Sequence, residues 1–402
     1  MKSIRALHQL LERRIVVCVG PGGVGKTTLA AALAIEASRQ GQKTLVVTID
    51  PAKRLAAALG LKALKAEPQP LPESTLIDLG IETNQRLFAM MLDTQATFDG
   101  LVKKLTPEPA ARERIFKNPI YQHVSGSLAG SGEYAAMEKV YELLEGAEFD
   151  LIVLDTPPAQ NAVDFLDAPI RLLEFIESPL VRGLLQPALT AGRKGFRWFE
   201  GPTRRMLDLL ERLIGIGFLR DLSEFLLAFE SLSQGFADRA KRVRETLLGS
   251  DSAFLLVTGA SQQTVRNAET FLDHLESQGL PLAGLLINRM RLWPAGIEPD
   301  SFTLRDAAGE VPGVLILKQA LERTHTEPQA AALAASASAV ANQYNAWVNQ
   351  DQENIEPLLQ RAQGRGLFVR CLAERAGDVH DALGLRALSE ELFRAKTQGR
   401  PQ

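Results

Sequence analysis

The stretch Gly20-Pro21-Gly22-Gly23-Val24-Gly25-Lys26-Thr27 fits the pattern G-x-x-x-x-G-K-[ST], in which backbone N–H groups of a glycine-rich loop converge on phosphate oxygens. Lys26 is placed to bridge the β- and γ-phosphates of a nucleoside triphosphate, and the Thr27 hydroxyl to ligate Mg²⁺. An apolar run precedes the loop and a helical pattern follows it, so a helix N-terminus adds its positive end at the same point. Two aspartates supply further chemistry. Asp50, in VVTIDPAKRLA, ends an apolar run where ligand-facing residues of an open α/β sheet lie, and Pro51 stops the strand. A carboxylate there positions or deprotonates an attacking water and touches the Mg²⁺ shell; the same residue would also serve as a cap for the next helix. Asp155, in FDLIVLDTPPAQNAVDFL, follows an apolar run and suits a Mg²⁺ ligand, direct or through water. Pro157 and Pro158 stiffen the loop after it, and Gln160 and Asn161 are either phosphate sensors or ordinary polar loop residues.

Base identity is read from LLINRMR. GTP-specific sites place N-K-x-D after a late strand; here Asn288 is followed by Arg289 in the lysine position and Arg291 in the aspartate position. No carboxylate is present to read guanine's donors, so adenine is favoured. Asn288 is then a base contact or a strand-end turn residue.

The elements that position these residues are legible as short apolar runs: Ile15–Val19, Thr44–Ile49, Leu151–Leu154, Phe254–Val257, Leu285–Ile287, Val314–Leu317 and Leu367–Val369. Most are continuous rather than alternating, as strands buried on both faces of a parallel sheet are. Helical patterns such as Thr27–Arg39 and Gln263–Gln278 lie between them, and the first residues read as an amphipathic helix. The expected fold class is α/β, a doubly wound, mostly parallel sheet of the P-loop NTPase type with a helical insertion subdomain. Residues 1–402 are read as a single P-loop ATPase domain. The mostly helical stretches at about 84–146 and 168–248 are read as insertions forming the subdomain, and about 366–402 as a closing strand, loop and helix. The Ala-rich PQAAALAASASAVANQ reads as a helix or helical connector, and no internal repeat is found.

Composition narrows the function classes. A net charge of −3 gives no global signature of nucleic-acid binding, and no apolar run reaches the roughly 18 residues of a membrane span. The charged N-terminus has no apolar signal core, so a cytoplasmic location is expected. The two cysteines, Cys18 and Cys371, form no C-x-x-C pair, and the five histidines show no ligand spacing, so neither a disulfide framework nor a zinc site is expected.

As a set, GPGGVGKTT, IDPAKRLA, VLDTPPAQNAVDFL, INRM and the tail VRCLAERAGDVHDALGLRALSEELF resemble the arsenical-pump ATPase family (ArsA), which includes the chaperone ATPases that target tail-anchored membrane proteins. The blocks LFAMMLDTQATFDGLVKKL and NPIYQHVSGSLAGSGEYAAMEKVYEL resemble a bacterial branch of it. The resemblance implies Mg-ATP hydrolysis coupled to opening and closing of a dimer. It implies that Gly22, Gly23, Val24, Gly25, Lys26, Thr27 and Thr28 bind phosphates and Mg²⁺, that Asp50 orients the water, and that Asp155 lies in a switch segment. Adenine would meet Asn288 and a tail loop around Gly377, Asp378 and Val379. The helical insertion would hold a client.

Three departures qualify that picture. Pro21 stands where dimeric relatives carry a lysine that reaches the partner's phosphates, and proline has neither charge nor N–H. A charge at a transferring phosphoryl group contributes on the order of 10³-fold in rate, so turnover is expected to be slow unless Arg54, Lys53 or a partner chain compensates. The paired cysteines that clamp some targeting dimers through zinc are absent, and clustered cysteines for arsenite are absent too.

For a client groove, Phe175, Leu184, Leu185, Leu213, Phe218, Phe225 and Phe229 are the candidate lining, against the alternative that they pack the subdomain's own core. The basic loop with Arg193, Lys194, Arg197, Arg204 and Arg205 suits acidic lipid head groups or is a solvated linker. The leading reading is an ATPase acting as a homodimer or heterodimer with a related ATPase on a hydrophobic helical client or membrane protein. The competing ones are a nucleotide switch with little hydrolysis, the energiser of an anion pump, and a small-molecule kinase or ligase, for which no acceptor-pocket motif is found.

Overall fold

Five consecutive apolar residues between charged and glycine-rich flanks bury both faces only inside a covered sheet. β1 (Ile15–Val19) is accordingly buried at every position. The computed structural model describes residues 2–49, 53–82, 86–122, 131–156, 241–294 and 311–394, with isolated positions at 235, 238, 239 and 303. Around β1 stand β2 (Thr44–Thr48), β3 (Gln69–Pro70), β4 (Leu87–Met91), β5 (Leu151–Asp155), β6 (Ser252–Gly259), β7 (Leu282–Met290) and β8 (Phe368–Ala373). They form one eight-stranded sheet in the order β3-β4-β2-β5-β1-β6-β7-β8. Every pairing is parallel except that of the short β3 with β4.

The pleat divides the core into two layers. Ile15, Val17 and Val19 join one apolar cluster, and Val16 and Cys18 join the other. The first layer is covered by α5 (Thr94–Leu105), α6 (Pro109–Lys117), α7 (Ser131–Glu145), α8 (Gln262–Ser277) and the C-terminal part of the long α10 (Glu327–Gly364). The second is covered by α1 (Lys2–Leu11), α2 (Lys26–Arg39), α3 (Lys53–Ala58), α4 (Glu73–Leu79) and α11 (Ala382–Phe393). The result is the doubly wound α/β sheet of P-loop NTPases.

α2 is apolar around its whole circumference, which requires neighbours on every side. Its Leu29, Leu33 and Ile35 and its many alanines are buried between the sheet and Leu385, Leu388 and Leu392 of α11. Ser389 Oγ donates to the Ala32 carbonyl at 2.9 Å and fixes the two helices together. The guanidinium of buried Arg370, in β8, donates to the carbonyls of Glu391 and Arg394, closing the C-terminal end of α11 where the helix dipole favours a cation.

Two expectations are corrected. Leu87–Met91, inside a stretch read as mostly helical, is a strand. Leu, Met and Ala are good helix formers, and here pairing with β2 over the full length of both strands overrides propensity. Conversely, Val314–Leu317 is not a strand but part of α9 (Pro312–Leu321), with Pro312 in the first turn where proline favours a helix start. Its Ile316 is 68% exposed, so no sheet covers this run. The Ala-rich stretch lies within α10, which packs against α9. Among the described residues no helix is long and apolar enough to cross a membrane.

The chain leaves β1 through Gly20, whose φ is 144° and whose added Cβ would stand 2.0 Å from the Val257 carbonyl oxygen of β6. Gly20→Ala is therefore expected to destabilise the protein by about 2–4 kcal/mol through steric overlap. Gly279→Ala, at φ 68° with open space around it, is expected to cost only about 1 kcal/mol of backbone strain. Urea denaturation of the two variants would check the ranking, and equal midpoints would contradict it.

Candidate active site

The site begins where sheet order reverses, beyond the C-terminal ends of the central strands. β5 is inserted between β1 and β2, and the parallel register brings Asp155 level with Cys18 on one side and Thr48 on the other. The glycine loop leaves β1 directly above this row. Gly25 is the N-cap of α2 in a left-handed conformation, φ 90° and ψ 23°. A Cβ there would stand 2.5 Å from Asn288 Nδ2, so only glycine allows the loop to lie this close to β7.

Within the loop, Lys26 folds back and its Nζ donates to the Pro21 carbonyl at 2.8 Å. Proline in this position thus still offers an acceptor, although it has no N–H. Thr27 Oγ1 donates to Asp155 Oδ2 at 2.5 Å, and Thr48 Oγ1 donates to the same oxygen at 3.1 Å. Thr156 holds the end of β1, its hydroxyl donating to the Cys18 carbonyl at 2.8 Å. Asp155 and Lys26 are both buried, at 3% and 6% exposure. A hydroxyl and a carboxylate at the positive end of α2 are hard oxygen donors, the set that suits Mg²⁺.

A cleft of about 840 Å³ runs from this point across the top of β7 and β8. Its walls include Gly22, Gly23, Gly25, Lys26, Thr27 and Thr28 of the glycine loop, together with Asn288 of β7 and Gly377, Asp378 and Val379 of the tail loop. Val24 faces away from it, buried in the core, while its carbonyl accepts from Asn288 Nδ2 at 2.8 Å. Asp50, Gln160, Asn161, the residues named for a client groove and the basic loop at 193–205 lie outside the described residues, as does the side chain of Arg54.

Several lining residues are not evident in the sequence: Leu55, Thr156, Arg289, Glu374, Arg375, Leu385 and Leu388. Glu374 and Arg375 follow β8, and Arg375 pairs with Glu391 of α11 at 2.7 Å. Nothing in local spacing marks them, because only the β7–β8 pairing carries the tail loop to Asn288. Arg289 could have been found as the neighbour of Asn288 at the same strand end.

A central strand, a glycine turn into a buried helix, a lysine and a hydroxyl at that helix's start, and an aspartate on the adjoining strand are the architecture of a P-loop nucleoside triphosphatase. Sequence comparison is more specific. The chain belongs to the ArsA-type anion-transporting ATPase family, whose model matches residues 13–303. It is similar to ATPase asna-1 of Caenorhabditis elegans, 21% identical over 299 residues that make up 71% of this chain and 78% of the relative. ATPase GET3 of Malassezia globosa is 20% identical over 304 residues, 75% of this chain and 81% of its own. ATPase get3 of Aspergillus terreus is 25% identical over 306 residues, again 75% and 81%.

Cys18 sits in the row below the loop. Burial, and then the Asp155 carboxylate, push its thiol far above the usual range, with Lys26 opposing. Cys18 is fully buried and Cys371 partly so. A thiol reagent is expected to modify at most one cysteine of the native protein and two after denaturation. Rapid modification of both without denaturant would contradict this packing.

Proposed function

We propose that this chain is a Mg²⁺-dependent ATPase that uses ATP binding and hydrolysis to switch a dimer handling a hydrophobic protein client or a membrane partner. The observation that carries the nucleotide part is the Thr27–Asp155 hydrogen bond of 2.5 Å at the start of α2. It joins the two oxygen donors that would hold Mg²⁺ beside the lysine that would meet the β- and γ-phosphates. Mg²⁺ would supply charge neutralisation of the phosphates when bound. Asp50, which follows β2 in the sequence, is the proposed water-orienting base. Asn288 and the loop at Gly377, Asp378 and Val379 are the proposed adenine contacts, supported by their place in the lining of the same cleft as the phosphate loop.

The dimer and client part rests on the resemblance of the sequence motifs to the ArsA family. The relatives are ATPases, and the family description names anion transport. Arsenite as cargo is not favoured. Cys18 on β1 and Cys371 on β8 are separated by β6 and β7, roughly 14 Å at the usual strand spacing, too far to share one soft ion.

A second reading is supported by Pro21. With no lysine in that position, the chain would act as a slowly hydrolysing ATP switch, working with itself or with a related subunit that brings the missing charge.

Lys26→Ala is expected to weaken ATP binding by about 10- to 100-fold, the value of a charge-assisted hydrogen bond to phosphate. Calorimetry would measure it, and unchanged affinity would remove the phosphate-loop reading. ATP turnover per subunit, followed across a wide range of protein concentration, separates the two forms of the proposal. A rise with concentration is expected for a homodimer that has replaced the lysine. Negligible turnover at all concentrations, with ATP bound, would establish the switch form instead.

A further inference from the structure

Successive side chains of a strand point to opposite faces of the sheet. At the end of β7 they do not. Asn288 Nδ2 reaches the Val24 carbonyl at 2.8 Å, and the next residue, Arg289, reaches the Gly23 carbonyl with its guanidinium at 3.4 Å. Both side chains meet the same phosphate loop.

The backbone explains how. Ile287 is level with Cys371 and Met290 with Ala373, so β7 spends one more residue than β8 over this interval. That is a bulge, a device that re-aims a side chain next to functional sites. Arg289 has φ 56°, a left-handed conformation that non-glycine residues adopt at a cost. The bulge is pinned on its far side. The Met290 carbonyl accepts from Glu374 N at 2.8 Å, and Arg291 N donates to the buried carboxylate of Asp351 in α10 at 2.9 Å. From this position the Arg289 guanidinium also meets Asp378 of the tail loop at 3.5 Å, on the exposed side of the cleft that both residues line.

We propose that Arg289 is a positioning residue of the nucleotide site: it clasps the phosphate loop to the tail loop across the open side of the cleft and sets how long a bound nucleotide stays. The proposal rests on the reading of the cleft as an ATP site. The ligand class it acts on is a nucleotide long enough to lie between the two loops, ADP or ATP. The strained backbone has a reason in this account, since a glycine would adopt the same turn freely but would carry no side chain across.

The test is the release rate of ADP carrying a ribose-linked fluorophore, chased with excess ATP, from the full-length chain. R289A and D378A are each expected to speed release about two- to fivefold, the range of an exposed ion pair. The double variant is expected to be no faster than either single one. Added salt should speed release from the wild type more than from R289A, because the wild type has the exposed ion pair to lose in addition to its contacts with phosphate. R289K should fall between wild type and R289A, and R289G should release like R289A while melting no lower than the wild type.

Wild-type release rates in R289A, or multiplicative effects in the double variant, would overturn the clasp while leaving the nucleotide site intact. A melting temperature lowered in R289G, with the same salt dependence in the wild type and R289A, would make Arg289 a structural residue and overturn it equally. Failure of the wild type to hold the fluorescent ADP at all, or full retention of it by Lys26→Ala, would instead overturn the nucleotide reading on which the clasp rests.

Discussion

A single carboxylate oxygen, Oδ2 of Asp155, accepts hydroxyls from Thr27 and Thr48. Through it three separate stretches of chain are held at one point: the start of α2, the end of β5 and the end of β2. Placing that carboxylate where it is 3% exposed would be unfavourable without compensation. The two hydroxyl donors contribute about 1.5–3 kcal/mol each as hydrogen bonds to a charged group, and the positive end of α2 adds to them. The arrangement depends on β5 being inserted between β1 and β2, so that Asp155 is level with Cys18 and Thr48 at once. A slip of one residue in either register would turn the carboxylate to the other face of the sheet.

The tail-loop wall of the cleft is assembled by packing between distant parts of the chain. The tail loop follows β8 and leads into α11, and α11 lies on α2, the helix that begins at the phosphate loop. The Ser389–Ala32 hydrogen bond and the leucines of α11 therefore set the spacing between the loop that would hold phosphates and the loop that would hold the base. Each end of the site positions the other through the same buried helix.

How much of this was legible varies with the physics of each part. β1 could be read to the residue, because a continuous run of β-branched side chains beside a glycine loop has few alternatives. Lys26, Thr27 and Asp155 were legible for a related reason: their spacing from strand ends fixes where their side chains emerge. β4 was not, since LFAMM has helical propensity and becomes a strand only through its partner. The run at Val314–Leu317 failed in the opposite sense, as apolar continuity alone does not separate a strand from a helix. Gly377, Asp378 and Val379 followed from family resemblance, and no local pattern links them to Asn288. Arg289 entered the sequence reading as a lysine missing from a guanine motif, whereas its place is decided by a bulge that leaves no mark in the residue types.

The strand order also sets the two walls of the cleft on unequal footings. The phosphate loop hangs from β1, in the middle of the sheet, bonded on both edges and covered on both faces. The tail loop hangs from β8, the last strand in the order, which among the described residues is bonded to a neighbour on one side only. A central strand of this kind is expected to open only with the whole domain, and an edge strand through smaller, more frequent openings. The cleft is thus a vice with one jaw anchored in the middle of the sheet and the other at its edge.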